Sequence, residues 1–219
     1  MKKTKYKLAI FDMDGTILDT LDDLADSVNH ALTSCGLPGR TIDEVRCFVG
    51  NGIRLLIERA VPRGTDSALV DRVFAEFKSY YKEHSAVKTK PYDGIIDLFK
   101  YLRENGCLVT VLSNKADFAV QELCRDYFAG LTDYAAGEKE GIRRKPAPDA
   151  VLAIMEHCNV GPEDAVYIGD SEVDVETASN SGISGITVTW GFRSKEWLAD
   201  HGAATYADSV EELKNLLSE

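Results

Sequence analysis

Four short apolar runs, each stopping at a polar loop and most of them followed by a segment of helical periodicity, constrain this chain most. Tyr6 to Phe11 stops at Asp12-Met13-Asp14-Gly15, Cys107 to Leu112 at Ser113-Asn114-Lys115, and Ala165 to Ile168 at Gly169-Asp170-Ser171; Gly185 to Thr189 runs into Trp190-Gly191. Runs this short and this uniformly apolar suit strands buried on both faces. Between them Ile95 to Glu104, Ala116 to Arg125, Ala147 to His157 and Val173 to Asn180 place apolar residues three and four apart. Strand alternating with helix predicts an α/β core built on a parallel sheet with helices on both faces.

Thr20 to Lys90 breaks the alternation. It holds no strand pattern but several helical stripes, among them Leu21, Leu24, Ala25, Val28, Ala31 and Leu32, and later Val70, Val73, Phe74, Phe77 and Tyr81. Pro91-Tyr92-Asp93-Gly94 closes the block with turn chemistry. This predicts an all-helical cap over residues 16–91, inserted after the first strand into a core of residues 1–15 and 92–219. At roughly 150 residues per domain, a chain of 219 fits one domain with a large insertion. A cap at that point lies over the carboxyl ends of the strands, where open α/β sheets bind ligands.

Lys and Arg number 25 against 36 Asp and Glu, a formal charge of −11, which argues against nucleic acid or an anionic membrane as partner. An anionic substrate then needs a locally positive pocket, made by a metal ion, a few cations or helix N-termini. The five cysteines form no CxxC pair and are odd in number, as in a reducing cytoplasm. The apolar stretch after the basic N-terminus is too short for a secretory or membrane segment. His30, His84, His157 and His201 lack metal-ligand spacing and read as structural or exposed.

Taken singly, Asp12-Met13-Asp14-Gly15 and Gly169-Asp170-Ser171 read equally well as turns, and Asp174 as a helix-dipole acid. Convergence changes this, because all strands of a parallel sheet end at one edge. That edge gathers Asp12, Asp14, Asp170 and Ser113, with Lys145 in the Pro-rich loop Arg144 to Asp149. Clustered carboxylates repel unless a hard cation is present, and a few oxygens plus waters suit Mg²⁺. Phosphoryl chemistry fits the set. Asp12 would act as nucleophile, forming an aspartyl-phosphate, and Asp14 would protonate the leaving oxygen and then activate water. Mg²⁺, Lys145 and Ser113 would cradle the phosphoryl oxygens, and Asp174, one helical turn after Asp170, would hold Lys145.

Phe11 to Asp19, Ser113-Asn114-Lys115, Lys145-Pro146 and Gly169 to Asp174 resemble, in order, the four motifs of the haloacid-dehalogenase-like hydrolases. The resemblance implies a Rossmann-like core, Mg²⁺ dependence, and metal contacts from the Asp12 and Asp170 side chains and the Asp14 backbone carbonyl. Gly15 and Asn114 are placed with the substrate-binding residues. Val49 to Ala60, Arg144 to Asp149 and Gly169 to Ser171 are most similar to the phosphoglycolate phosphatases, which implies a small phosphorylated substrate and a phosphoric monoester hydrolase, as monomer or homodimer. Trp190-Gly191-Phe192-Arg193 stands where that group has a Gly-Tyr type segment.

Two other functions are open on the same motifs. A sugar phosphomutase of the superfamily carries a histidine about a dozen residues after the nucleophile, where this chain has Leu24 and its neighbours. A receiver-like phosphoacceptor module is shorter and has no helical insertion. In the cap, Gly50, Asn51, Gly52 and Arg54 form either a second anion site or a turn with a surface arginine. Arg193 reads as a surface residue, and Trp190, Phe192 and Trp197 as packing for the last helices.

Overall fold

The structure is a computed structural model and describes residues 3–219. In chain order the elements are β1 (Leu8–Phe11), β2 (Leu18–Asp19), α1 (Leu21–Ser34), α2 (Ile42–Phe48), α3 (Ile53–Ala60), α4 (Ser67–His84), β3 (Lys90–Pro91), α5 (Ile95–Glu104) and β4 (Leu108–Ala116). There follow α6 (Asp117–Phe128), β5 (Tyr134–Glu138), α7 (Asp149–Cys158), β6 (Ala165–Gly169), α8 (Glu172–Ser181), β7 (Ser184–Val188), α9 (Lys195–Asp200), β8 (Tyr206–Ala207) and α10 (Val210–Leu216).

The chain forms two compact units, Met1–Leu18 with Pro91–Glu219, and Asp19–Lys90. These bounds move the expected 16–91 insertion inward, because Ile17 and Leu18 are fully buried in the core cluster and Thr16, Ile17 and Leu18 all donate backbone hydrogen bonds to Met13 O. The tight turn after β1 is thus part of the core.

In the core, six parallel strands run in the order β5-β4-β1-β6-β7-β8. Central β1 is registered with Leu8 opposite Leu108 and Ala165, and Phe11 opposite Val111 and Ile168. Period two sends Ala9 and Phe11 into a cluster with Phe99, Leu102 and Phe128, and Leu8 and Ile10 into a second with Val151, Ile154 and Met155. Both faces are therefore buried, which is why the strand sequences are apolar without alternation. This is the α/β, Rossmann-like sheet expected. Two strands of this sheet were not foreseen, β5 and β8, and β4 continues through a register shift to Ala116, so Ser113, Asn114 and Lys115 lie within it.

The unit Asp19–Lys90 is helical between two short crossing strands. Val28 and Leu32 of α1 and Val73 and Phe77 of α4 are buried. Like its two short strands, Asp23 was not expected: it is 2% exposed, and its carboxylate accepts from the backbone N–H groups of Lys88 and Thr89 and from Thr89 Oγ1 at 2.8 to 3.0 Å. Three donors offset the desolvation of that buried charge and tie the start of α1 to the returning chain.

Candidate active site

The turn after β1 displays two carboxylates because its alternation is pinned. Met13 is fully buried among core residues, so Asp12 and Asp14, one position to either side, face away from it. Gly15 has φ +83°, and a Cβ there would collide with the Asp170 carboxylate, so glycine serves both the turn and the close approach.

Lys145 is the hub. Its Nζ lies 2.8 Å from Asp12 Oδ1 and donates to Asp174 Oδ1 at 2.8 Å and Tyr167 Oη at 2.9 Å. The contact to Asp12 is an ion contact without an aligned N–H bond, which leaves Oδ1 of Asp12 buried and without a hydrogen bond. Asp174, by contrast, is fully engaged: Oδ1 also accepts from Tyr167, and Oδ2 accepts from Ser171 N and Ser171 Oγ. Burial works against the charge on Lys145, but Asp12 and Asp174 outweigh it and hold the pKa well above the ordinary value.

Asn114, expected among the substrate-binding residues, braces the backbone of the hub lysine. Its Nδ2 donates to Lys145 O at 3.1 Å and its Oδ1 accepts from Lys145 N at 3.0 Å, so both ends of the amide clamp the lysine's backbone. Ser113 is buried, and its Oγ accepts from Lys115 N at 3.2 Å, leaving the O–H to donate.

Asp170 sits in a cradle. Phe192 N–H donates to its Oδ2 at 2.7 Å and Thr16 Oγ1 to its Oδ1 at 3.2 Å, while Trp190 Nε1 donates to Thr16 O at 3.1 Å. Phe192 therefore serves the acid directly, whereas Trp190 braces Thr16 and packs against the core cluster. Trp197 is half exposed and donates to Glu172 rather than packing into the core. Arg193 is not a surface residue: its side chain is about one-tenth exposed and pairs with Glu172 Oε2 at 2.9 Å. A Cβ on Gly191 would overlap the Asp170 side chain. We expect Gly191→Ala to push that carboxylate aside and weaken divalent-cation binding by about 10- to 100-fold, the usual effect of disturbing groups that orient a ligand; a Mn²⁺ titration followed by electron paramagnetic resonance measures it, and unchanged affinity contradicts it.

Oxygens of Asp12, Asp170 and Asp174 come within 4.8 Å of one another. Burial first, then the neighbouring Asp174 charge, pushes Asp12 up to about 7 despite Lys145, and burial with Asp174 and Asp12 raises Asp170 well above the carboxylate range. Asp14 is paired with Lys115, whereas three carboxylates, Asp12, Asp170 and Asp174, gather around Lys145 alone. The buried Asp12 Oδ1, which has an ion contact but no hydrogen bond, and that excess of acids over lysine both fit a divalent cation held by Asp12 and Asp170.

The raised Asp12 value also has a sign for stability. Ordinarily near 3.8, Asp12 binds its proton more tightly when folded, so its contribution is complete below about pH 4 and is lost as pH rises through about 7. In chelator, thermal stability should fall across that window by on the order of a few kcal/mol, and Mg²⁺ should restore it. Melting curves with EDTA and with Mg²⁺ between pH 5 and 8, for wild type and Asp12→Asn, test this; a cation-free profile identical in the two proteins contradicts it.

Gly50, Asn51, Gly52 and Arg54 lie in the other unit. Arg54 Nε donates to Glu58 at 2.7 Å and Nη1 to Asp71, and the guanidinium stands over the Phe74 ring. Two carboxylates of its own unit thus neutralise the cation expected to strengthen an anion site there, because α3 and α4 place Glu58 and Asp71 within reach.

A family model described as haloacid dehalogenase-like hydrolase matches residues 9–188. The chain belongs to the haloacid dehalogenase-like hydrolase family. This hydrolase is 32% identical to a phosphoglycolate phosphatase of Pseudomonas putida, an alignment covering 98% of this chain and 79% of that protein. It is 31% identical to an N-acetylmuramic acid 6-phosphate phosphatase of Pseudomonas aeruginosa, over 99% and 97% of the two chains. A crystal structure of a candidate phosphoglycolate phosphatase from Lactobacillus delbrueckii subsp. bulgaricus superposes with a TM-score of 0.93 at 41% identity, covering 98% of this chain and all of that one. These likenesses place the hydrolase among the phosphatases of its family. Among its described residues no helix is long and apolar enough to cross a membrane.

Proposed function

We propose that this hydrolase is an Mg²⁺-dependent phosphatase of small phosphorylated metabolites, working through an aspartyl-phosphate on Asp12, with 2-phosphoglycolate as the first substrate to test. The observation that carries the reading is the pair of aspartates on one turn, each facing its own buried lysine, Asp12 with Lys145 and Asp14 with Lys115.

The Asp12 carboxylate attacks phosphorus while Asp14 gives a proton to the departing oxygen, and Asp14 then takes a proton from the water that releases phosphate. Lys145 and the Ser113 hydroxyl meet the phosphoryl oxygens, and Asp174 keeps Lys145 aimed at them. Asn114 fixes the lysine's backbone against β4. When bound, Mg²⁺, held by Asp12 and Asp170 with the Asp14 carbonyl implied by the family motif, supplies positive charge to those same oxygens.

Phosphate release from a panel containing 2-phosphoglycolate, N-acetylmuramic acid 6-phosphate, sugar phosphates and nucleotides tests the proposal, run with Mg²⁺ and with EDTA. The expected result is turnover that stops in EDTA, with Asp170→Asn needing more Mg²⁺ for half-maximal rate. Full turnover in EDTA, or no release from any member of the panel, would reject it.

A further inference from the structure

Lys115 has no part in the four motif roles, yet it is as deeply buried as Lys145, with about 3% of its side chain exposed. Its Nζ donates to both oxygens of Asp14, at 2.8 and 3.1 Å, and its backbone N–H donates to Ser113 Oγ. The strand beneath it is held as well: a Cβ on Gly137 would overlap Lys115 O, so β4 and β5 approach as closely there as glycine permits. An ammonium is not buried this way without compensation, and here the compensation is the one carboxylate required to transfer a proton.

Resting on the proposed phosphatase reading, we infer that Lys115 is a positioning residue that sets the Asp14 carboxyl for proton transfer to the leaving oxygen. A grip on both oxygens fixes the plane of the carboxylate. When one oxygen carries the proton, Nζ keeps the other, and the O–H is presented in one direction. In the first half-reaction the Asp12–phosphorus bond forms, the bond from phosphorus to the leaving oxygen breaks, and that oxygen takes the Asp14 proton. In the second, water's oxygen bonds to phosphorus, the Asp12–phosphorus bond breaks, and a water proton returns to Asp14. Lys115 exchanges no proton in either.

This predicts a dependence on the leaving group that general loss of structure would not produce. Proton delivery matters for an alkyl phosphate such as 2-phosphoglycolate and little for p-nitrophenyl phosphate, whose leaving group departs as a stable anion. The experiment compares kcat/KM for the two substrates in wild type, Lys115→Met, Asp14→Asn and the double variant. Lys115→Met is expected to lose about 10²-fold or more on the alkyl phosphate and less than about tenfold on the aryl one, with no further change in that ratio in the Asp14→Asn background. Lys115→Gln, which keeps a donor without the charge, decides the same comparison if the methionine variant does not fold. Equal losses on both substrates, or a further change in the ratio once Asp14 is gone, would overturn the positioning role. An Asp14→Asn enzyme with no leaving-group selectivity would overturn the acid role of Asp14 and the inference with it, a failure told apart because it appears with Lys115 intact.

Discussion

Asp12→Asn is expected to abolish phosphoenzyme formation and to lower kcat by at least about 10⁴, the scale on which enzymes lose activity when a covalent nucleophile is removed. The substitution is nearly isosteric, and the residue is fixed by its backbone, since Asp12 N donates to Ile168 O at 2.8 Å and so continues the β1–β6 ladder. What changes is the carboxylate whose buried Oδ1 stands 2.8 Å from Lys145 Nζ. Asp14→Asn should behave differently. It keeps the nucleophile but removes the proton carrier, so turnover should fall by about 10² to 10⁴ while a covalent intermediate accumulates, because hydrolysis of that intermediate needs the base. Acid-quenched labelling with a radioactive phosphate ester separates the two, and ordinary multiple turnover by either variant contradicts the assignment.

Lys145→Met should give the other large effect, on activity and stability together. The lysine stands between Asp12 and Asp174 at 2.8 Å from each, and removing it leaves two buried carboxylates facing one another. Breaking a buried pair in this way typically costs about 3 to 5 kcal/mol. The loss of a charge-assisted contact to the phosphoryl group should lower kcat/KM by about 10² or more. Asp174→Asn is expected to be milder, since an amide oxygen can still accept from Nζ. Denaturant unfolding and kcat/KM on the same preparations test both effects, and a kcat/KM within threefold of wild type would show that Lys145 does not reach the transition state.

Much of this was legible from local patterns. The helix over Ile95–Glu104 matches its periodicity to the residue, and β1, β6 and the site acids follow from apolar runs that stop abruptly. Tyr134–Glu138 escaped because Tyr-Ala-Ala-Gly-Glu is an edge strand with short side chains and little apolar signal, and Tyr206–Ala207 because two residues carry no period. The roles of Asn114 and Arg193 depend on partners 31 and 21 residues away, Lys145 and Glu172, and only the fold brings those groups together. Lys115 did leave a signal. Standing two residues beyond Ser113, it has the same spacing as Asp14 beyond Asp12, and in an extended chain that spacing shares a side.

Every group given a role in bond making or proton transfer, from Asp12 to Asp174, belongs to the unit that ends at Leu18 and resumes at Pro91. The splice is sealed on that side, where Tyr92 N donates to Ile17 O. Seventy-two consecutive residues, Asp19–Lys90, can therefore accumulate substitutions without altering a single participant in the reaction. Such a division leaves the reacting groups and the inserted helices free to change separately.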